Sequence, residues 1–153
     1  MNRVSKSNKF NEIYNNSPLN RKNYNAITKD ISVTVWPEFI DGKITAEDEL
    51  YVWSYKVLIE NRCLEPIQLV RRAWYIIDEK GNIQEVSGEG VVGEKPIILP
   101  NNSYKYSSGI HLNSPSGIMK GKYFIKKINN NEILEIEIPS FSLDVPANHT
   151  TVN

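Results

Sequence analysis

Gly88, Gly90 and Gly93 stand within VSGEGVVGEKPIIL, residues 86–99, at the spacing G-x-G-x-x-G. With that spacing backbone N–H groups can approach the phosphates of a nucleotide. The chemistry also needs a helix opening at the third glycine and an acidic residue about 20 positions on to hold the ribose. Here Pro96 follows closely, restricts Lys95 to extended backbone, and leads into the β-branched pair Ile97 and Ile98. At the ribose position stand Asn113 and Ser114. The glycines are therefore expected among strands. Two uses remain open there: a nest of N–H groups that takes a small anion without a helix, and a bend or bulge between strands. The bend is favoured, because Glu89 and Glu94 would set negative charge beside a bound anion.

Arg71 and Arg72 are adjacent on a predicted strand and so point to opposite faces. An exposed arginine beside Trp74 and Tyr75 has the guanidinium-plus-aromatic character of an interface anchor. An ion pair of Arg72 with Glu85 or Glu89 is the alternative. Tyr104 and Tyr106 share a face, and Trp53 and Trp74 suit a core better than a ligand platform. Ser108 followed by His111 is a poor basis for a nucleophile and base, since neither spacing nor a nearby carboxylate supports it. The candidate ligand- or partner-binding set is therefore Arg72, Trp74, Gly88, Glu89, Gly90, Val91, Val92, Gly93, Lys95 and Tyr106, with no catalytic residue, metal site or cofactor expected. Glu47, Asp48 and Glu49 lack the spaced pattern of a calcium loop. Cys63 with His111 and His149 cannot complete a zinc site.

Strands must position these residues. From Ile27 onward the chain runs in short alternating segments broken by turn residues, the pattern of an all-β sandwich. Ile31, Val33 and Val35 open a first strand that Pro37 is expected to close. Tyr51, Trp53, Tyr55, Val57 and Ile59 put five large residues on one face of a long second strand. IQLVRRAWYIID, residues 67–78, continues as a third, with Gln68, Val70, Arg72, Trp74 and Ile76 on its even face. Turns are expected at Asp78–Asn82, Pro100–Asn102, Ser114–Gly117 and Asn129–Asn131. Pro139 should end the ladder built on Leu134, Ile136 and Ile138. The result is about eight strands and very little helix.

The 153-residue chain has room for one core, and its single cysteine excludes an internal disulfide. No run of 18 apolar residues appears, so no membrane insertion is expected and a cytoplasmic location fits. Residues 1–25 read as a disordered, Asn-rich arm carrying Arg3, Lys6, Lys9, Arg21 and Lys22 against Glu12 alone. The remainder, a domain over residues 26–146 and a polar tail over 147–153, holds 13 basic and 17 acidic side chains, the wrong sign for a nucleic-acid partner.

Taken in order, RRAWYIID, QEVSGEGVVGEKPIILP, YKYSSG, SPSGIMKGKY and EIPSFSLDVP resemble the bacterial ApaG family over about residues 27–145. The same module is fused in some eukaryotic F-box proteins and in a polymerase-delta interacting protein. The resemblance implies an immunoglobulin-like or fibronectin-III-like β-sandwich of two antiparallel sheets. It further implies a genetic link to cobalt tolerance and magnesium efflux in bacteria, and protein binding in the fused modules. Where the family often reads Arg-His-Trp, this chain has Arg72-Ala73-Trp74, which removes any role for that histidine. The expectation is a non-enzymatic module that binds a protein partner or a small anionic metabolite. The alternative is a nucleotide-polyphosphate-binding protein or hydrolase that uses the glycine turn with Arg72, Lys95 or Lys105.

Overall fold

A computed structural model describes residues 22–147. Nine strands follow in order: β1 (Tyr24–Thr28), β2 (Ile31–Ile44), β3 (Glu49–Asn61), β4 (Ile67–Asp78), β5 (Ile83–Glu89), β6 (Ile97–Ile98), β7 (Ser103–Leu112), β8 (Ser116–Lys127) and β9 (Ile133–Asp144). They make two antiparallel sheets, one in the order β1-β2-β3-β7 and the other β5-β4-β8-β9, with β6 continuing the β5 side of β4. There is no α-helix among the described residues. The chain is therefore the all-β sandwich that its alternation predicts, with one strand more than the expected eight.

The inner faces carry the alternating residues. β3 contributes Tyr51, Trp53, Tyr55, Val57 and Ile59, all buried, against Met119, Tyr123 and Ile125 of β8 and Leu134, Ile136, Ile138, Phe141 and Leu143 of β9. Trp74 lies at the centre, with ring centroids 5.3 Å from Tyr55, 6.3 Å from Tyr123 and 6.1 Å from Phe141. Each such fully enclosed side chain contributes on the order of 2 kcal/mol of transfer free energy.

Bulges, which the alternation does not announce, correct the sequence reading in three places. In β4 the register against β8 shifts between Leu69 and Arg71. Ile67 and Leu69 therefore face the core before the shift and Trp74 and Ile76 after it, so Gln68 and Val70 do not share one face with Trp74 and Ile76 as expected. In β2 the strand does not close at Pro37 but pairs onward to Ile44, with Pro37 opposite Tyr55 and a shift between Phe39 and Asp41. Among the described residues β1 pairs with β2 only as far as Val35, and a proline is tolerated where its missing N–H falls on the open side of a strand. In β9 the strand likewise runs through Pro139, where buried positions switch from even to odd numbers beside the shift at Met119/Gly121.

Residues 1–21 and 148–153, with most of the expected arm and tail, lie outside the described residues. The end of that arm belongs to the fold, because Tyr24 and Asn25 begin β1. Asn25 holds the strand in place by donating from Nδ2 to Ser32 Oγ and Thr34 Oγ1, each at 2.9 Å.

The two flanks of the sandwich differ. On one, β1 meets β9: Tyr24 stacks on Phe141 at 5.8 Å, and the Glu137 N–H donates to Thr28 Oγ1 at 3.1 Å. On the other, the outer edges of β5 and β7 face outward, and among the described residues no strand pairs with either.

Candidate functional site

The glycine segment lies on the β5–β7 flank. Gly88 and Glu89 are still in β5, opposite Arg72 and Arg71. Val91–Glu94 then closes a two-residue hairpin, with Val91 N–H to Glu94 O at 2.8 Å and Glu94 N–H to Val91 O at 2.9 Å. Its central residues, Val92 and Gly93, have φ of 44° and 80°, the left-handed pair of a type I′ turn. Gly90 N–H donates to Val70 O at 2.9 Å. The N–H groups of Gly90, Val91 and Glu94 are thus committed to backbone carbonyls. No helix begins here, and only the turn tip, Val92 and Gly93, lies outside that bonding. Gly90 is needed for itself: its φ is 61°, and a Cβ would fall 2.1 Å from Glu94 O.

Two acidic side chains tie the turn down. Glu89 pairs with Lys95 at 2.9 Å, and that lysine holds the Glu89 carboxyl below its usual range. Tyr104 donates to Glu94 Oε2 at 2.8 Å, linking the turn to β7. Burial, and next the Glu94 carboxylate, raise the Tyr104 phenol above its ordinary pKa.

Arg72 lies two residues before Trp74, past the β4 bulge, so it shares that side of the strand, and it reaches under the turn. Its Nη1 donates to Glu89 O at 3.1 Å and to Gly90 O at 2.8 Å. The expected carboxylate partner is absent: Glu89 offers Arg72 its carbonyl and gives its carboxylate to Lys95. Among the described residues Arg72 forms no ion pair. Its guanidinium faces a set of phenols. Burial raises the pKa values of Tyr55, Tyr106 and Tyr123, and the positive charge of Arg72 opposes that rise at all three. Tyr106 and Tyr123 share a short hydroxyl–hydroxyl hydrogen bond inside the core.

The structure therefore divides the sequence candidates. Arg72, Gly88, Glu89, Gly90 and Lys95 come together around one turn. Val92 and Gly93 form its tip, with Val92 exposed. Trp74, Val91 and Tyr106 are buried in the core and cannot touch a partner directly. Ser108 and His111 point to opposite faces of β7, so they form no dyad. Tyr123 was not among the candidates, although its alternation with Gly121 and Ile125 on the inner face of β8 was a signal for burial.

An open cleft of about 830 Å³ lies at the end of the sandwich beside the Thr45–Asp48 turn, lined by Glu47, Asp48, Glu49, Asp78, Lys80 and His111 among others. Among the described residues, no three His, Cys, Asp or Glu side chains converge there or elsewhere to hold a metal ion. No helix of the described residues is long and apolar enough to cross a membrane.

Comparison with known proteins places this geometry in a family. The ApaG domain matches residues 42–127. Protein ApaG of Brucella canis is 47% identical over 130 residues, covering 85% of this chain and 99% of that protein. Protein ApaG of Agrobacterium fabrum is 47% identical over 123 residues, covering 80% and 94%. The X-ray structure of a Northeast Structural Genomics Consortium target superposes with a TM-score of 0.75 at 38% identity, covering 84% of this chain and 96% of that one. The β-sandwich with its glycine turn over Arg72 belongs to the ApaG family.

Proposed function

We propose that this ApaG-family chain is a non-enzymatic cytoplasmic binding module that recognises a protein partner on the β5–β7 flank, with Arg72 as the charged anchor. One observation carries the reading: the Arg72 guanidinium is oriented by two backbone carbonyls and is matched by no carboxylate among the described residues. A cation held in place but not neutralised by its own chain favours an anionic group brought by a partner, and the planar fork suits a carboxylate. The glycine turn serves to deliver those carbonyls. With three of its N–H groups already bonded, it supports the nucleotide alternative poorly. The association of the family with cobalt tolerance and magnesium efflux fits an indirect effect, exerted through the partner.

The test is capture of partners from the source cytoplasm on immobilised protein, quantified by mass spectrometry, with Arg72→Met beside the wild type. A discrete partner retained by the wild type and lost by the folded variant is expected. Turnover of a nucleotide by the purified protein, abolished by a single substitution, would sink the reading.

A further inference from the structure

The outer face of the β5-β4-β8-β9 sheet, on the side of β4 away from Trp74 and Ile76, carries neighbouring rows fixed by register. Ile83, Ile77 and Ile118 lie side by side on β5, β4 and β8, and Glu85, Tyr75 and Lys120 form the row next to them. Ile83 is 69% exposed and Ile118 49%, with Ile77 and Tyr75 half-buried between their neighbours. The core does not use these isoleucines, because alternation points them away from it. An apolar row on an open sheet face gains by being covered.

Charge says what covers it. On the outward side β5 carries Glu85 and Glu89, and β8 carries Lys120 and Lys122. Glu89 is paired with Lys95, and Lys122 with Glu135. Glu85 and Lys120 form no ion pair among the described residues. They stand two strand spacings apart across Tyr75, about 9.6 Å between backbones. A negative charge therefore flanks the apolar centre on one side and a positive charge on the other, at equal distance. Such a face is complementary to a second copy of itself.

Two copies meeting face to face are related by a two-fold axis that lies in the interface. An axis running across the strands sets β8 over β8 and brings lysine to lysine. An axis along β4 exchanges β5 with β8, so that Glu85 of each copy falls over Lys120 of the other and Ile83 over Ile118. Arg71, also on that axis, stands opposite Glu89 in its own chain and about 13 Å from Tyr75 along the strand. The angle of roughly 30° at which twisted sheets pack carries its two copies apart. We propose that the chain forms a reversible two-fold dimer through this face, with the axis along β4. Three strands span only about 14 Å, which sets the contact at the small end of specific interfaces. Arg72 faces the other side of β4, so the dimer does not draw on it.

The test is sedimentation equilibrium of the full chain from about 10 µM to about 1 mM. A monomer–dimer equilibrium is expected, and Ile118→Asp should abolish it with an unchanged melting temperature. Glu85→Lys and Lys120→Glu should each weaken it about tenfold, by setting like charges in contact on both sides of the axis. The double exchange, Glu85→Lys with Lys120→Glu, should restore it. That restoration is specific to the axis along β4, since an axis across the strands sets neither residue over the other. Monomer throughout the range overturns the proposal, as does a dimer that Ile118→Asp leaves intact or one that the double exchange fails to restore. Arg72→Met should leave the dimer as it is; a dimer lost with Arg72 would lie on the β5–β7 flank and overturn the proposal equally.

Discussion

Asn61 and Arg72 both lie where a connection passes over the end of a strand, and both bond to backbone carbonyls, yet they end in opposite conditions. Asn61 is completely buried. Its Nδ2 donates to Glu65 O and Ile98 O, each at 2.9 Å, and its Oδ1 accepts from Cys63 N–H at 2.9 Å. Its backbone takes Asn101 N–H at 2.8 Å and gives to Asn102 O at 3.0 Å. Arg72 also has two carbonyl partners, but it is only half-buried, keeps its charge unmatched among the described residues, and opens on a flank where two strand edges lie free. The difference separates a polar group used to build the fold from one held ready for another molecule. A neutral amide with its side-chain groups bonded gains nothing from a partner, whereas an oriented cation does.

The sharpest way to break this contrast is Asn61→Ala. It removes three side-chain hydrogen bonds and leaves two carbonyls and one N–H unpaired at the junction of three connections. A loss of about 3 kcal/mol is expected in urea unfolding. A loss below about 1 kcal/mol would show that the amide is not the structural hub described.

Next in size is Gly90→Val, which forces a Cβ against Glu94 O at a positive φ and should cost about 2 kcal/mol or more. Gly93→Ala has the same backbone problem but open space around it, and should cost only about 1 kcal/mol. Unfolding curves for the pair separate clash from backbone strain; equal losses would mean that the close approach of Glu94 does not define the turn. Gly90→Val is accordingly a poor probe of anion binding, because it damages the turn that would do the binding.

Arg72→Met should change stability by no more than about 1 kcal/mol, since the methionine keeps much of the apolar stem and the freed carbonyls lie near solvent. Its effect belongs in partner capture. If instead it matched Asn61→Ala in unfolding, Arg72 would be a structural residue and the contrast would fail.

How far these two regions could be read in the sequence depends on whether alternation or an interruption of it was involved. Trp53, Tyr55, Trp74 and Tyr123 follow a period of two, and the two-sheet core was legible from that. The bulge at Val70 was not, because one extra residue leaves no mark in a run already rich in β-formers; it alone decides that Ile67 and Leu69 face the core while Gln68 and Val70 part from Trp74 and Ile76. Pro37 and Pro139 read as strand ends because a proline cannot donate, but whether that matters depends on which neighbour is present, a tertiary fact. Asn61 looked like any turn residue. Its partners Ile98, Asn101 and Asn102 come from a connection far along the chain, and no local spacing announces them. The glycines were read correctly as a bend because Pro96 and the β-branched pair after it excluded a helix; that the bend would present two carbonyls to a guanidinium was beyond the pattern.

The smallest effect concerns Asp78, at the turn between β4 and β5, which shows the Asn61 principle at the surface. Its Oδ1 accepts from the N–H groups of Lys80 and Asn82, each at 2.9 Å, and its Oδ2 accepts from Asn82 Nδ2 at 3.0 Å. The Asn82 side-chain bond is the largest cause that lowers its pKa below the ordinary aspartate value. A carboxyl whose folded pKa is depressed stabilises the fold fully above its unfolded pKa of about 3.9, and loses that contribution as pH falls through the lower, folded value. Asp78→Asn keeps the shape but cannot titrate. Wild type and variant should therefore differ most near neutral pH and converge in acid, in unfolding curves taken down the pH scale. A constant difference at every pH would mean that Asp78 acts through turn geometry alone, and that bonding of the ionised form contributes nothing at this site.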